Sequence, residues 1–170
     1  MKRLLTVILS LVVINSLAQS PPPSAEAILK EATQQAAQQH KKVFILFHAS
    51  WCGWCHRMDS LMNNADCKKL FNDQFVVRHL TVKESKDKKY LENPGADALL
   101  AKYHGENKGI PFWLIFDANG KLVADCLMDS GENTGCPATK EEVAHLIKVL
   151  KQTTSLNDGQ LAVIESNFIK

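Results

Sequence analysis

Val43-Phe44-Ile45-Leu46-Phe47-His48-Ala49-Ser50-Trp51-Cys52-Gly53-Trp54-Cys55-His56 runs from an unbroken apolar stretch straight into a pair of cysteines. Val43 to Phe47 is a short continuous apolar run, the mark of a strand covered on both faces. Beyond the cysteines, Met58, Leu61 and Met62 belong to a helical stretch. The pair therefore falls where a buried strand gives way to a helix. A cysteine at a helix N-terminus meets unsatisfied backbone N–H groups and the positive end of the helix dipole, and both favour thiolate over thiol. The second cysteine lies one turn on, on the same helix face, so the two sulfurs can close to a disulfide and reopen by exchange. Trp51 beside them offers an apolar rim to an extended substrate.

The same letters have other readings. Cys52-x-x-Cys55-His56 is also the attachment pattern for c-type haem, with His79, His104, His145, Met58 and Met128 as candidate distal ligands. The surrounding strands and the lack of a loop-rich haem shell argue against it. A zinc site would need a second Cys-x-x-Cys, which the chain lacks, so no metal is expected. A purely structural disulfide in a four-residue loop would do little for stability.

Outward from this segment the chain reads as alternating helices and strands. Ser24 is an N-cap for a helix running to about Lys42, with a weak apolar face from Ile28, Ala32 and Ala36 that predicts packing at the edge. A second short helix is expected around Cys67 to Phe71, a strand over Phe75–Val82, and a helix from Ala96 to His104 ended by Gly105. Phe112–Phe116 predicts a strand, Asp117-Ala118-Asn119-Gly120 a hairpin turn, and Lys121–Met128 the returning strand. Thr139-Lys140-Glu141-Glu142 is a capping box opening an amphipathic helix that carries Val143, Leu146, Ile147 and Leu150. The charge-rich Lys83–Lys89 segment reads as solvated surface. The economical fold class is α/β, one domain with a central mixed sheet flanked by helices.

The N-terminus reads as an address. Lys2 and Arg3 precede a mostly apolar run from Leu4 to Leu17, and Ser16-Leu17-Ala18 supplies small residues for a signal peptidase. The run falls short of the ~20 apolar residues that span a bilayer. The expected organisation is a signal peptide over 1–18, a Pro-rich spacer over 19–24, the folded domain over 25–153, and a tail over 154–170 with a short helix. The location is then periplasmic or secreted, an oxidising compartment. The full chain of 170 residues carries 20 Lys+Arg against 18 Asp+Glu, a net charge of +2. Without Lys2 and Arg3 the balance is zero, and no broad basic field remains to bind nucleic acid.

With Gly109-Ile110-Pro111 following much later, the chain resembles the thioredoxin superfamily. The nearer likeness is to secreted thioredoxin-like proteins and to the C-terminal periplasmic domain of bacterial transmembrane thiol:disulfide interchange proteins. Phe47–His56, Ala98–Tyr103 and Ile110–Asp117 carry it, and it extends over about Ala25 to Lys151. The resemblance implies a thioredoxin-like fold and a disulfide oxidoreductase that exchanges disulfides with protein substrates. It implies Cys52 as the attacking thiol, Cys55 as the resolving thiol, and Pro111 as a cis-proline presenting the Ile110 backbone in a groove bordered by Trp51 and Trp54. No cofactor is implied, because the cysteines carry the electrons. A membrane thiol:disulfide reductase is the implied electron donor if the protein reduces its substrates. The rival reading is a non-catalytic thioredoxin-like module that binds a client or a metal.

Two positions depart from the family pattern. Leu46 stands where thioredoxin has a buried acid, and Gly53-Trp54 replaces Gly-Pro between the cysteines. His56 is the candidate for proton transfer in place of the missing carboxylate, by proximity; an exposed helix histidine without a role is the alternative. Three further cysteines remain. Closeness in sequence favours a Cys126–Cys136 bridge, which leaves Cys67 as a small buried apolar residue. The alternative brings Cys136 toward the active pair.

Overall fold

The computed structural model describes residues 20–169. The expected signal peptide lies outside the described residues. Eleven helical and strand segments follow, in the order α1 (Ala25–Gln39), β1 (Lys42–His48), α2 (Gly53–Met62), α3 (Lys68–Gln74), β2 (Phe75–Thr81), a 3-10 helix (Lys86–Leu91), α4 (Ala96–Lys102), β3 (Phe112–Phe116), β4 (Leu122–Asp125), α5 (Lys140–Thr153) and α6 (Asp158–Phe168).

The strands form one mixed sheet in the order β2-β1-β3-β4. β1 pairs parallel with β2, Leu46 opposite His79, and antiparallel with β3, Leu46 opposite Trp113. A strand with neighbours on both sides and helices above and below must be apolar on both faces. Val43 to Phe47 and Phe112 to Phe116 are all fully buried, as the unbroken apolar runs predict. Phe44 points to one face, where Phe71 of α3, Phe75 and Trp113 surround it. Phe168 of α6 packs behind Phe71, and His145 of α5 lies against Trp113. On the opposite face Arg78 of β2 bonds Gln35 of α1, and Tyr103 at the end of α4 meets Phe116 edge-on.

The caps read from the sequence form as expected. Ser24 Oγ accepts from Ala27 N–H, and Thr139 and Glu142 close a reciprocal capping box at α5. Gly120 takes φ 79° in the turn after β3, where Asp117 Oδ1 accepts from Asn119 and Lys121 N–H.

Two expectations are corrected. β4 ends at Asp125 rather than Met128, because Asp125 Oδ1 captures Leu127 N–H (2.8 Å) and turns the chain so that Leu127 bridges Asn133. The tail beyond residue 154 forms the short helix expected of it. A second capping box, Asn157 with Gln160, starts α6, and Leu161, Ile164 and Phe168 enter the same core as the sheet. Finally, Lys83–Lys89 is not all solvated surface, since Glu84 is only 5% exposed. Among the described residues no helix is long and apolar enough to cross a membrane.

Candidate active site

β1 delivers the chain to Ala49–Trp51, and Cys52 then caps α2. Its backbone is extended (φ −81°, ψ 97°) and its Sγ accepts from Cys55 N–H at 3.1 Å. The sulfur therefore occupies the place where a side-chain oxygen would satisfy an orphan donor at a helix start. Cys52 and Cys55 are joined as a disulfide, the one disulfide among the described residues. Both cysteines are buried, Cys52 at 3% exposure and Cys55 wholly covered.

The pair packs with Ala49 in a small apolar cluster that Ile110 closes. Ile110–Pro111 is a cis peptide, and the Ile110 carbonyl oxygen lies 3.6 Å from Cys52 Sγ. The loop after β4 holds this segment from behind. Asn133 Nδ2 donates to the carbonyls of Gly109 (2.8 Å) and Pro111 (3.1 Å), and Lys108 Nζ donates to Gly131 (2.7 Å). Between that loop and α2 lies a cleft of about 650 Å³, bordered by Trp54, Ile110, Pro111, Met128, Cys136 and Thr139. Trp51 and Trp54 stand out at 59% and 55% exposure. The Trp51 indole N–H is pinned to the Lys83 carbonyl (2.9 Å), and the Arg57 guanidinium lies over the Trp54 ring, 5.6 Å from its centroid.

Leu46 is fully buried in the sheet, so no carboxylate rises from that strand position. The polar groups nearby are different ones. His79 Nε2 pairs with Asp59 of α2 at 2.7 Å, and the His48 and His79 rings meet edge-to-face at 5.1 Å. Burial first, and then the neighbouring His79, pulls the His48 pKa below its ordinary value. His56, the candidate for proton transfer, donates Nε2–H to the Ser50 carbonyl (3.1 Å). Sequence reasoning missed Asn133, Lys108 and Glu84 at this site. Asn133 sits in an Asn-Thr-Gly turn, which signalled only a loop.

The expected Cys126–Cys136 bridge is not formed. Cys126 Sγ accepts from Trp113 N–H (3.3 Å) inside the core, and burial pushes its thiol pKa far up. Thr134, not Cys136, faces Cys126: Thr134 N–H donates to the Cys126 carbonyl at 3.0 Å. Cys136 lies two residues further on, roughly 6–7 Å of extended chain, on the cleft beside Ile110 and Pro111. Cys67 is buried at the start of α3, and burial raises its thiol pKa too.

The sequence profile of a family described as thioredoxin-like matches residues 24–118, more than half of the chain. The chain belongs to the thioredoxin-like family. The match takes in α1 to β3, including both cysteines and Pro111, and leaves β4, α5 and α6 beyond it. No curated protein matches the chain significantly. Among solved structures it is similar to a disulphide isomerase from Xylella fastidiosa Temecula1, with 21% identity over 65% of this chain and 79% of that one, and a TM-score of 0.49. It is also similar to the oxidised C-terminal domain of Neisseria meningitidis DsbD, with 21% identity over 77% of this chain and 97% of that one, at a TM-score of 0.47.

Proposed function

We propose that the protein is an exported thiol:disulfide oxidoreductase acting on protein substrates. The observation that carries this reading is the Cys52–Cys55 disulfide at the N-terminus of α2, its capping sulfur 3.6 Å from the Ile110 carbonyl. In the reduced protein Cys52 thiolate attacks a substrate disulfide. One substrate sulfur leaves as thiolate and the other is held in a mixed disulfide with Cys52. Cys55, deprotonated in turn, attacks Cys52 Sγ, releases the second substrate thiol and restores the Cys52–Cys55 disulfide. Two electrons pass to the substrate, and the reverse sequence oxidises a substrate dithiol. Helix-end N–H groups favour the thiolate at Cys52 as nucleophile and as leaving group.

The groove of Trp51, Trp54, Ile110 and Pro111 suits an extended peptide, whose backbone would pair with the Ile110 segment while the indoles cover its side chains. Residues 1–18 direct the chain across the membrane and are cleaved, which leaves residues 19–24 as a short Pro-rich spacer ahead of the domain. Acting as a reductant outside the cytoplasm, the protein would draw electrons from a membrane thiol:disulfide reductase. Dithiothreitol-driven insulin reduction tests the reading. The wild type accelerates it, and Cys52→Ser abolishes the acceleration. No acceleration, with Cys52 inert to alkylation at neutral pH, would leave a non-catalytic binding module. Equilibration with glutathione fixes the direction, a potential of about −270 mV marking a reductant and one of about −120 mV an oxidant.

A further inference from the structure

We propose that Lys83 and Glu84 are positioning residues for disulfide exchange, a clamp that holds the turn before Cys52 and the loop before Pro111 in one fixed relation; this rests on the exchange reading above. Leaving β2, the chain lays Val82–Glu84 along the Ala49–Trp51 turn. Val82 N–H donates to the His48 carbonyl (2.9 Å). The Lys83 carbonyl takes the Trp51 indole N–H (2.9 Å), and the Glu84 carboxylate takes both Ser50 N–H (2.5 Å) and Ser50 Oγ–H (2.9 Å). In the opposite direction Lys83 Nζ donates to the carbonyls of Glu106 (3.1 Å) and Lys108 (2.6 Å), the second only two residues ahead of Ile110. Lys83 thus grips one half of the site with its main chain and the other half with its ammonium.

The composition of the clamp points beyond simple covering. Glu84 is 5% exposed, and among the described residues no cation lies within ion-pair distance of it. A buried carboxylate is costly unless donors satisfy it, and here both Ser50 donors do so. A hydrocarbon side chain would cover the turn as well but would hold neither. Ser50 is engaged on every side, because its carbonyl takes His56 Nε2–H (3.1 Å). Lys83 has φ 55°, a left-handed conformation that a residue with a Cβ adopts when its surroundings over-determine it. Glu84 N–H is tied outward to Glu92 Oε1 (2.7 Å), which Lys89 Nζ meets at 2.6 Å.

The consequence falls on Cys52. Its sulfur sits between Cys55 N–H on one side and the Ile110 carbonyl on the other, so its place depends on both loops that the clamp ties together. Displacements of about 1 Å at a reacting atom can cost up to about a hundredfold in rate.

The experiment uses the full chain, reduced, and reads two quantities: the rate of Cys52 alkylation by iodoacetamide across pH, and insulin reduction. Glu84→Ala is expected to slow both about tenfold, the size of a lost charge-assisted hydrogen bond, and to move half-maximal alkylation to higher pH. Glu84→Gln is expected to restore most of the loss, since its amide oxygen accepts from Ser50 N–H and its amide nitrogen donates to Ser50 Oγ. Should Glu84→Ala not fold, Lys83→Gly keeps the left-handed backbone, drops the ammonium and is expected to slow both reactions in the same way. Variants that match the wild type in rate and pH profile would overturn the clamp. So would Glu84→Ala and Glu84→Gln shifting the profile downward together, because the carboxylate's charge and not its grip would then govern Cys52. A wild type that fails to reduce insulin overturns the exchange reading alone, since the alkylation profile still reads the clamp.

Discussion

Cys52 and Cys55 share one helical turn but not one environment. Cys52 caps the helix with its sulfur 3.6 Å from the Ile110 carbonyl, whereas Cys55 lies within the first turn and is wholly covered. With Cys52 as the attacking thiol of the proposed exchange, Cys55→Ser should accumulate mixed disulfides with client proteins and Cys52→Ser none. Non-reducing gels of cell extracts check this, and equal trapping by both variants would reverse the assignment. His48 supplies a second residue-scale prediction. It is depressed mainly by burial and by His79, while Asp59 and Glu84 pull it the other way and His56 adds to the depression. Between its folded pKa and the ordinary value of 6.5, the unfolded chain holds a proton that the folded chain lacks. Stability contributed at this position is therefore complete above 6.5 and lost as pH falls through that window. Melting at about pH 7.5 and about pH 5.5 should show a smaller difference in His48→Gln than in the wild type, since Gln can still reach Thr81 Oγ1, which lies 3.2 Å from His48 Nε2.

Helices and loops carry the next level. α5 begins at the edge of the cleft, where Thr139 Oγ1 takes Glu142 N–H (3.2 Å) and the Glu142 carboxylate takes the N–H groups of Ala138 and Thr139 (both 3.0 Å). Losing the Thr139 hydroxyl leaves one helix-end donor unmet, so Thr139→Ala should cost about 1 kcal/mol of unfolding free energy, and Thr139→Ser far less. Urea titration measures both. The loop after β4 depends on Asn133 in a similar way. Its amide bonds the two carbonyls flanking Ile110, and its Oδ1 takes Gly135 N–H (2.9 Å). Asn133→Ala should lower stability by roughly 1–2 kcal/mol and raise the KM for peptide disulfides more than it lowers kcat. A drop in kcat alone would mean that the loop does not shape the groove.

At the scale of the whole molecule, α6 belongs to the core that supports the sheet. Phe168 is fully buried and packs on Phe71, which in turn faces Phe44 of the central strand. Truncating it leaves a cavity beneath β1, so Phe168→Ala should cost about 3–5 kcal/mol in equilibrium unfolding. An effect below about 1 kcal/mol, the level of a surface change, would show α6 to be dispensable. The sheet itself explains why the site lies where it does. β1 runs between β2 and β3, so its C-terminal end brings the cysteine turn against the loop leaving β2 and the loop entering β3.

Local spacing made much of this legible from the residues alone. The apolar runs of β1 and β3, the caps at Ser24 and Thr139, the Asn-Gly turn and the reach between Cys52 and Cys55 all depend on neighbours a few positions apart, where backbone geometry leaves few choices. What remained hidden depends on segments that meet only when the chain closes on itself. Glu84 looked like one charge among lysines, yet β2 pairing parallel to β1 sets it against Ser50, 34 residues earlier. Cys126 and Cys136 are close in sequence, yet the turn set by Asp125 places Thr134 opposite Cys126 and sends Cys136 to the cleft. Pattern determines which face of an element is apolar. Only tertiary pairing decides which polar group finds which partner, because that choice is set by strand register and loop closure rather than by the residues on either side.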